Sequence, residues 1–404
     1  MTLHRLPILL LVVSTFALHE GVAKHRRHHR FSGPRPTAPV ILWARTLATS
    51  TDHEQRQKAA FKLSQYSQPI SQDGIISTLI GCLRDPNPTL RALCAKAMRK
   101  AGLKNKKQAE NVRQALLAAF GEDPTLTIPI TRTWTARGDD SPPVYTTLLN
   151  VLEGVKDEKT AAALLEYFEK FGQGDARFVT AVVEVFNRFS DPMIARRAAQ
   201  ALANRAQGQD IVVTTLLKCL KQSDTVLTLT CLGGLEQQGK KDARVASAVE
   251  ETLKSSDPDV LLASLEIIGA LPPSRSPLLT ERLLEILQNT DDPDLEEKAI
   301  LALEISGDGR NAVAVELRNK LRDIDSPQSA RVAAALALGN ILHVDEAARE
   351  ATAEALARCA KDTPLGALRS ACQLGLQQLT RNQDPALSLP APSPTRGDSA
   401  QSSF

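Results

Sequence analysis

The sequence predicts an all-α fold, an α-solenoid of about ten antiparallel helix hairpins, and three observations carry that reading. Alanine and leucine dominate the 404 residues while aromatics make up only 4%, a composition that suits helix-on-helix packing better than a β-rich core. Aspartate recurs at Asp52, Asp85, Asp123, Asp157, Asp191, Asp224, Asp257, Asp292, Asp325 and Asp362, at spacings of 33 to 38 residues. The stretches between these aspartates repeat their apolar residues with helical period.

Each aspartate reads as a helix start. An N-cap carboxylate accepts hydrogen bonds from free N–H groups of the first turn and sits at the positive end of the helix dipole. Proline follows directly at Asp85, Asp123, Asp191, Asp257 and Asp292, and one place later at Asp325 and Asp362. At the first helical position its missing N–H costs nothing. Before the turns the pattern is amphipathic: Val212, Leu216, Cys219 and Leu220 share one face, as do Leu279, Leu283, Ile286 and Leu287. After the turns the segments are small and apolar nearly all round, as in RVAAALALGNIL at 331–342, which marks a helix buried between neighbours. Each unit is therefore an outer amphipathic helix, a turn and an inner alanine-rich helix. One pair cannot bury its apolar face, but a stack can.

The turn aspartate is followed six places on by a basic residue at Asp52/Lys58, Asp85/Arg91, Asp191/Arg197, Asp292/Lys298 and Asp325/Arg331, and then by small residues. With this pattern the chain resembles HEAT repeats, in the short form of the phycobilisome-lyase type, over residues 37–381. The resemblance implies a HEAT-like superhelix in which these pairs form a structural ladder between adjacent repeats. Ankyrin repeats are approached only once, at Thr363-Pro364-Leu365, and two Trp in the chain are too few for tetratricopeptide units.

The N-terminus has the form of an export signal over residues 1–23: Arg5, an apolar run from Leu6 to Leu18, and the small-residue site Gly21-Val22-Ala23. Lys24, Arg26, Arg27 and Arg30 follow at once, against the usual charge bias. Residues 24–36 are expected to form a basic, His-rich disordered arm. It reads as a solvated tail, as an attachment to an anionic surface, or as a weak metal binder through His25, His28 and His29. The Pro/Ser-rich residues 382–404 are expected to be a disordered tail. No other segment approaches ~20 apolar residues, so no transmembrane span is expected. These features place the protein outside the cytosol, in a periplasm or secreted.

Six cysteines fall in pairs, one before and one after a turn: Cys82 and Cys94, Cys219 and Cys231, Cys359 and Cys372. Antiparallel helices fold such positions to similar heights, so three disulfides within hairpins are expected in an oxidising compartment. No C-x-x-C motif is present, which leaves zinc and thioredoxin-like chemistry unsupported.

The net charge of +3 hides an asymmetry: residues 1–137 hold 21 Lys+Arg against 8 Asp+Glu, and the remainder 28 against 38. Residues 96–107 concentrate this charge in Lys96, Arg99, Lys100, Lys104, Lys106 and Lys107, either as a solvated helix end or as a docking patch for an anionic surface. Over 122–143, alternating threonines and Pro129 predict an irregular insertion. Trp134, set between Arg132 and Arg137, would make that loop a contact site. No nucleophile elbow, P-loop or H-E-x-x-H occurs, and no cofactor is expected. The expected function is a non-catalytic scaffold that binds a protein partner. The alternatives are a modifying enzyme of the lyase type and a polyanion-binding adaptor acting through the basic third. Nucleic acid is disfavoured by the export signal and by the few aromatics available for stacking.

Overall fold

The computed structural model describes residues 38–381, apart from 207, 223, 239–241, 272–275, 308–310 and 342–344. The expected signal, basic arm and C-terminal tail lie outside the described residues. Twenty α-helices form ten consecutive hairpins, and no strand is present among the described residues. They are α1 (Ala38–Thr49), α2 (His53–Gln65), α3 (Asp73–Cys82), α4 (Pro88–Ala97), α5 (Lys106–Glu122), α6 (Thr127–Arg137), and α7 (Pro142–Gly154). Next come α8 (Glu158–Phe171), α9 (Ala176–Arg188), α10 (Pro192–Arg205), α11 (Asp210–Cys219), α12 (Thr225–Gln238), α13 (Ala243–Thr252) and α14 (Pro258–Ala270). The last are α15 (Pro277–Asn289), α16 (Pro293–Ser306), α17 (Asn311–Arg322), α18 (Gln328–Asn340), α19 (Glu346–Asp362) and α20 (Ala367–Arg381).

The aspartates start the inner helices as their chemistry requires. The side chains of Asp52, Asp123, Asp157, Asp191, Asp224, Asp257 and Asp292 accept from first-turn N–H groups; Asp52 Oδ1, for example, lies 2.8 Å from the Glu54 N–H. Three depart. Asn87 caps α4, and the buried Asp85 instead accepts from the Asn87 N–H at 2.9 Å. Pro327 holds the cap position of α18, and Asp362 ends α19.

The hairpins define two edges. The turns lie on one, and the connections between units lie on the other, where Ile70 and Ala101 form an isolated bridge between successive connections. Even-numbered helices pack on one another more closely than odd-numbered ones do, so they line the inside of the curve. Small residues permit this approach. A Cβ on Gly339 of α18 would stand 2.5 Å from the Gly375 carbonyl oxygen of α20.

Within residues 122–143, all of 124–137 is helical, which corrects the expected insertion. A short 3-10 turn, Pro124–Leu126, leads into α6. Pro129 is the third residue of α6, inside the first turn, where its missing N–H breaks no bond. The threonine hydroxyls bond to carbonyls four residues back: Thr131 to Thr127 at 2.7 Å, Thr133 to Pro129 at 2.8 Å and Thr135 to Thr131 at 2.9 Å. Burial among neighbouring helices then outweighs their low helix propensity.

Three disulfides join Cys82 to Cys94, Cys219 to Cys231 and Cys359 to Cys372, with Cα–Cα separations of 6.1, 6.3 and 6.0 Å. None of the six cysteines is free. Native protein denatured without reductant should therefore take up no alkylating reagent. Replacing Cys219 and Cys231 by alanine is expected to cost about 2–4 kcal/mol in urea unfolding.

Candidate functional site

The expected ladder is realised at one pair and redistributed elsewhere. Arg91 Nε lies 2.6 Å from Asp123 of the next unit. In the first unit Arg56, not Lys58, reaches the next turn at Asp85, while Lys58 pairs with Glu54 on the exposed face of its own helix. Arg197 faces Glu169 at 3.7 Å and Lys298 faces Glu266 at 3.1 Å, both on the preceding inner helix. Arg331 Nε donates to the Leu321 carbonyl at 3.2 Å. Asp191 and Asp292 already engage first-turn N–H groups as caps, and Asp325 is exposed. The repeated positions therefore fix turns more than they join units.

Trp134 and Arg137 are structural, which corrects their reading as contact residues. Trp134 is fully buried in α6 with its ring 5.3 Å from that of Phe120. Arg137 reaches back to the second unit, donating to the Met98 carbonyl at 2.8 Å and to that of Ala101. Ala101 caps the 3-10 turn Met98–Lys100, and its N–H donates to the same Met98 carbonyl at 3.1 Å, so Arg137 ties down the end of that turn. Arg132 alone of the three is exposed to solvent.

Just beyond, Gly138 ends α6 in the left-handed conformation, at φ 68°. The buried Asp139 that follows accepts from Arg113 Nε at 2.9 and 3.0 Å. Burial alone would raise the Asp139 carboxyl, but the Arg113 and Ser141 hydrogen bonds outweigh it and hold it below the usual carboxylate range. At Asp123 the Thr125 hydrogen bond leads and Arg91 adds to it, with the same net direction.

The basic stretch behaves differently. Lys100, Lys104, Lys106 and Lys107 are exposed, and Lys96 and Arg99 half-exposed. None of the six has a carboxylate within ion-pair distance among the described residues. Lys96 lies near the C-terminus of α4, where a cation suits the dipole; Lys106 and Lys107 open α5, whose first turn holds no acid. There they oppose the dipole rather than complement it.

A third surface was not legible in the sequence. Five and nine residues after each cap, the inner helices present half-exposed or exposed side chains to the inside of the curve. Lys96 on α4 and Arg132 on α6 hold equivalent positions there, nine residues after Asn87 and Asp123. Further along, Leu229 on α12, Leu262 on α14, Leu301 on α16 and Val332 and Leu336 on α18 continue the stripe, with Glu266 and Glu297 beside them. The inner helices read as uniformly buried; counting from the cap would have exposed the stripe. Among the described residues no three His, Cys, Asp or Glu converge as a metal set, and no helix is long and apolar enough to cross a membrane.

No known family profile matches the chain, and no curated protein matches it in sequence. Solved structures do resemble it. An engineered protein superposes with a TM-score of 0.60 at 18% identity, over 85% of this chain and 99% of its own. An E. coli protein, YIBA, gives a TM-score of 0.48 at 15% identity, over 68% and 99%. Yeast importin-beta gives 0.44 at 12% identity, over 85% of this chain and 53% of its own length, so the chain spans about half of it. At these identities the likeness is one of fold alone, an all-α helical solenoid.

Trp134→Ala should cost about 3–5 kcal/mol, read as a fall in the denaturant midpoint, whereas Arg132→Ala should leave it unchanged. The lowered carboxyls carry a sign. Their stabilisation is complete above the unfolded value of about 4 and is lost as pH falls through the lower folded values. Midpoints measured against pH should therefore drop below about pH 4, and Asp139→Asn should flatten that slope.

Proposed function

We propose that the chain is a non-catalytic scaffold, exported from the cytosol, that holds a protein partner along the inner-helix stripe. The observation that carries this reading is the run of Leu229, Leu262, Leu301 and Leu336, left half-exposed on four successive inner helices at the fifth or ninth position after the cap. Apolar side chains left partly open on the same helix face over several repeats suit a partner that lies along the stack. The polar residues beside them, Glu266 and Glu297, would set its orientation. The three disulfides support export, because such bonds persist in oxidising compartments.

A second reading rests on a different observation. The six unpaired cations of residues 96–107 form a surface that attracts anions, which supports a polyanion-binding role for the basic third. Lys96 lies on the inner stripe and the other five on the connection edge, so the two roles are compatible in one molecule.

A photo-crosslinking residue placed at Leu262 or Leu301, and at the outer-helix control Leu278, tests the first reading in the native host. Adducts to one protein from the two inner positions are expected; adducts from Leu278 alone would overturn the assignment. Sequencing the mature N-terminus tests export: a start near Lys24 is expected, and an intact Met1 in the mature pool would refute it.

A further inference from the structure

The connection between the second and third units carries Lys100, Lys104, Lys106 and Lys107 with no carboxylate within ion-pair distance among the described residues, and an apolar residue stands at its tip. Gly102, at φ 69°, turns the backbone between the 3-10 turn and α5. A side chain there would meet the backbone of Gln108 at 2.9 Å, so glycine is required for the turn to close against α5. The turn is held rigidly from behind. Ile70 donates to the Lys100 carbonyl and Gly102 donates to that of Ile70, each at 2.9 Å. Gln108 Nε2 donates to the Ser71 carbonyl at 2.8 Å and to Asp73 at 2.6 Å.

The result is a fixed protrusion that presents Leu103, 45% exposed, with Lys100, Lys104, Lys106 and Lys107 around it, all exposed. A lone exposed leucine is ordinary. Its setting here is not, because the same edge of the molecule has further apolar exposure. The first turn of α1 lies on the connection edge, opposite the turn at 50–52, and there Ile41 and Leu42 are 53% and 61% exposed. Both α1 and α5 pack against α3.

Resting on the polyanion-binding reading, we infer that this edge docks on an anionic lipid bilayer, with Leu103 entering the headgroup region and the lysines contacting lipid phosphates. Three features select a bilayer over other polyanions. The surface is a convex edge rather than a groove, and so fits a plane. Its cations are mostly lysines, which serve as point charges and lack the bidentate geometry that reads a particular phosphate or base. Its exposed companions are aliphatic, suited to an interface of headgroups and acyl chains and unable to stack on bases. The repulsion among the lysines at the start of α5 falls when lipid phosphates approach, so the charge unfavourable to the isolated helix becomes favourable on the surface.

The test uses the full mature protein with vesicles of phosphatidylcholine alone and of phosphatidylcholine containing phosphatidylglycerol, by flotation at low and high salt. Binding only to the anionic vesicles is expected, weakened by salt. The triple variant Lys104→Glu, Lys106→Glu, Lys107→Glu should lose binding by about a hundredfold or more, with an unchanged melting curve as its folding control. Leu103→Ser should weaken it by about threefold to tenfold. Because no cysteine is free, Leu103→Cys supplies a single thiol for an environment-sensitive fluorophore. Its emission should shift to the blue on anionic vesicles. Emission unchanged from buffer, with Leu103→Ser binding as the parent does and soluble heparin binding as tightly as vesicles, would overturn the bilayer and leave a general polyanion site. Failure to bind either vesicles or heparin would overturn the polyanion reading as well.

Discussion

Every helix ends on carbonyls that its own turns cannot satisfy, and in this stack arginine side chains meet many of them. Arg137 of the third unit reaches Met98 and Ala101 of the second. Arg188 donates to the Val155 carbonyl at 2.5 Å, Arg205 to that of Glu169 at 3.1 Å and Arg282 to that of Leu253 at 2.9 Å, each in the preceding unit. Arg56 and Arg331 do the same for the outer helix of their own unit, reaching Leu47 and Leu321 at 3.2 Å. A hydrogen bond to a charged group contributes about 1.5–3 kcal/mol where water is excluded, and less at an exposed residue such as Arg205. Since a single pair leaves both its apolar face and its helix ends open, these contacts and the packing they accompany make each unit depend on its neighbour.

The same dependence shapes the surfaces. Inner helices come together because glycine and alanine let their backbones approach, as Gly339 and Gly375 do. Close approach on one side and looser packing on the other bends the stack. The bend faces the fifth and ninth residues after each cap inward, where they escape full burial. The partly exposed stripe is thus a by-product of the packing that holds the solenoid together. The basic edge has another origin, in a connection whose glycine turn lifts Leu103 and its lysines away from the body.

The turn aspartates, the ten hairpins and the three cysteine pairs were legible because each follows from short-range chemistry: a carboxylate capping a first turn, or two positions level across a hairpin. The course of residues 122–143 was not. Its threonines and Pro129 disfavour helix locally, and only packing against α4 and α8, with Thr133 also bonding to the Ala95 carbonyl at 2.8 Å, makes the helix the better state. Trp134 and Arg137 were misplaced for the same reason, since a residue assigned to a loop reads as exposed. The ladder was legible as a pattern but not as contacts. Whether Arg91 meets a neighbouring carboxylate or Arg331 a carbonyl depends on side-chain reach across an interface whose geometry the sequence does not state.

The disulfides each close a hairpin, and none crosses from one unit to another. They fall in the second, sixth and tenth units, with three unclipped units in each interval. Under tension the interfaces between units can open and the unclipped hairpins can unravel, while each clipped loop withholds a dozen residues, roughly 40 Å of contour, from extension. The three clips therefore limit how far the chain can be drawn out. Its full reach is available only where the surroundings are reducing enough to release them.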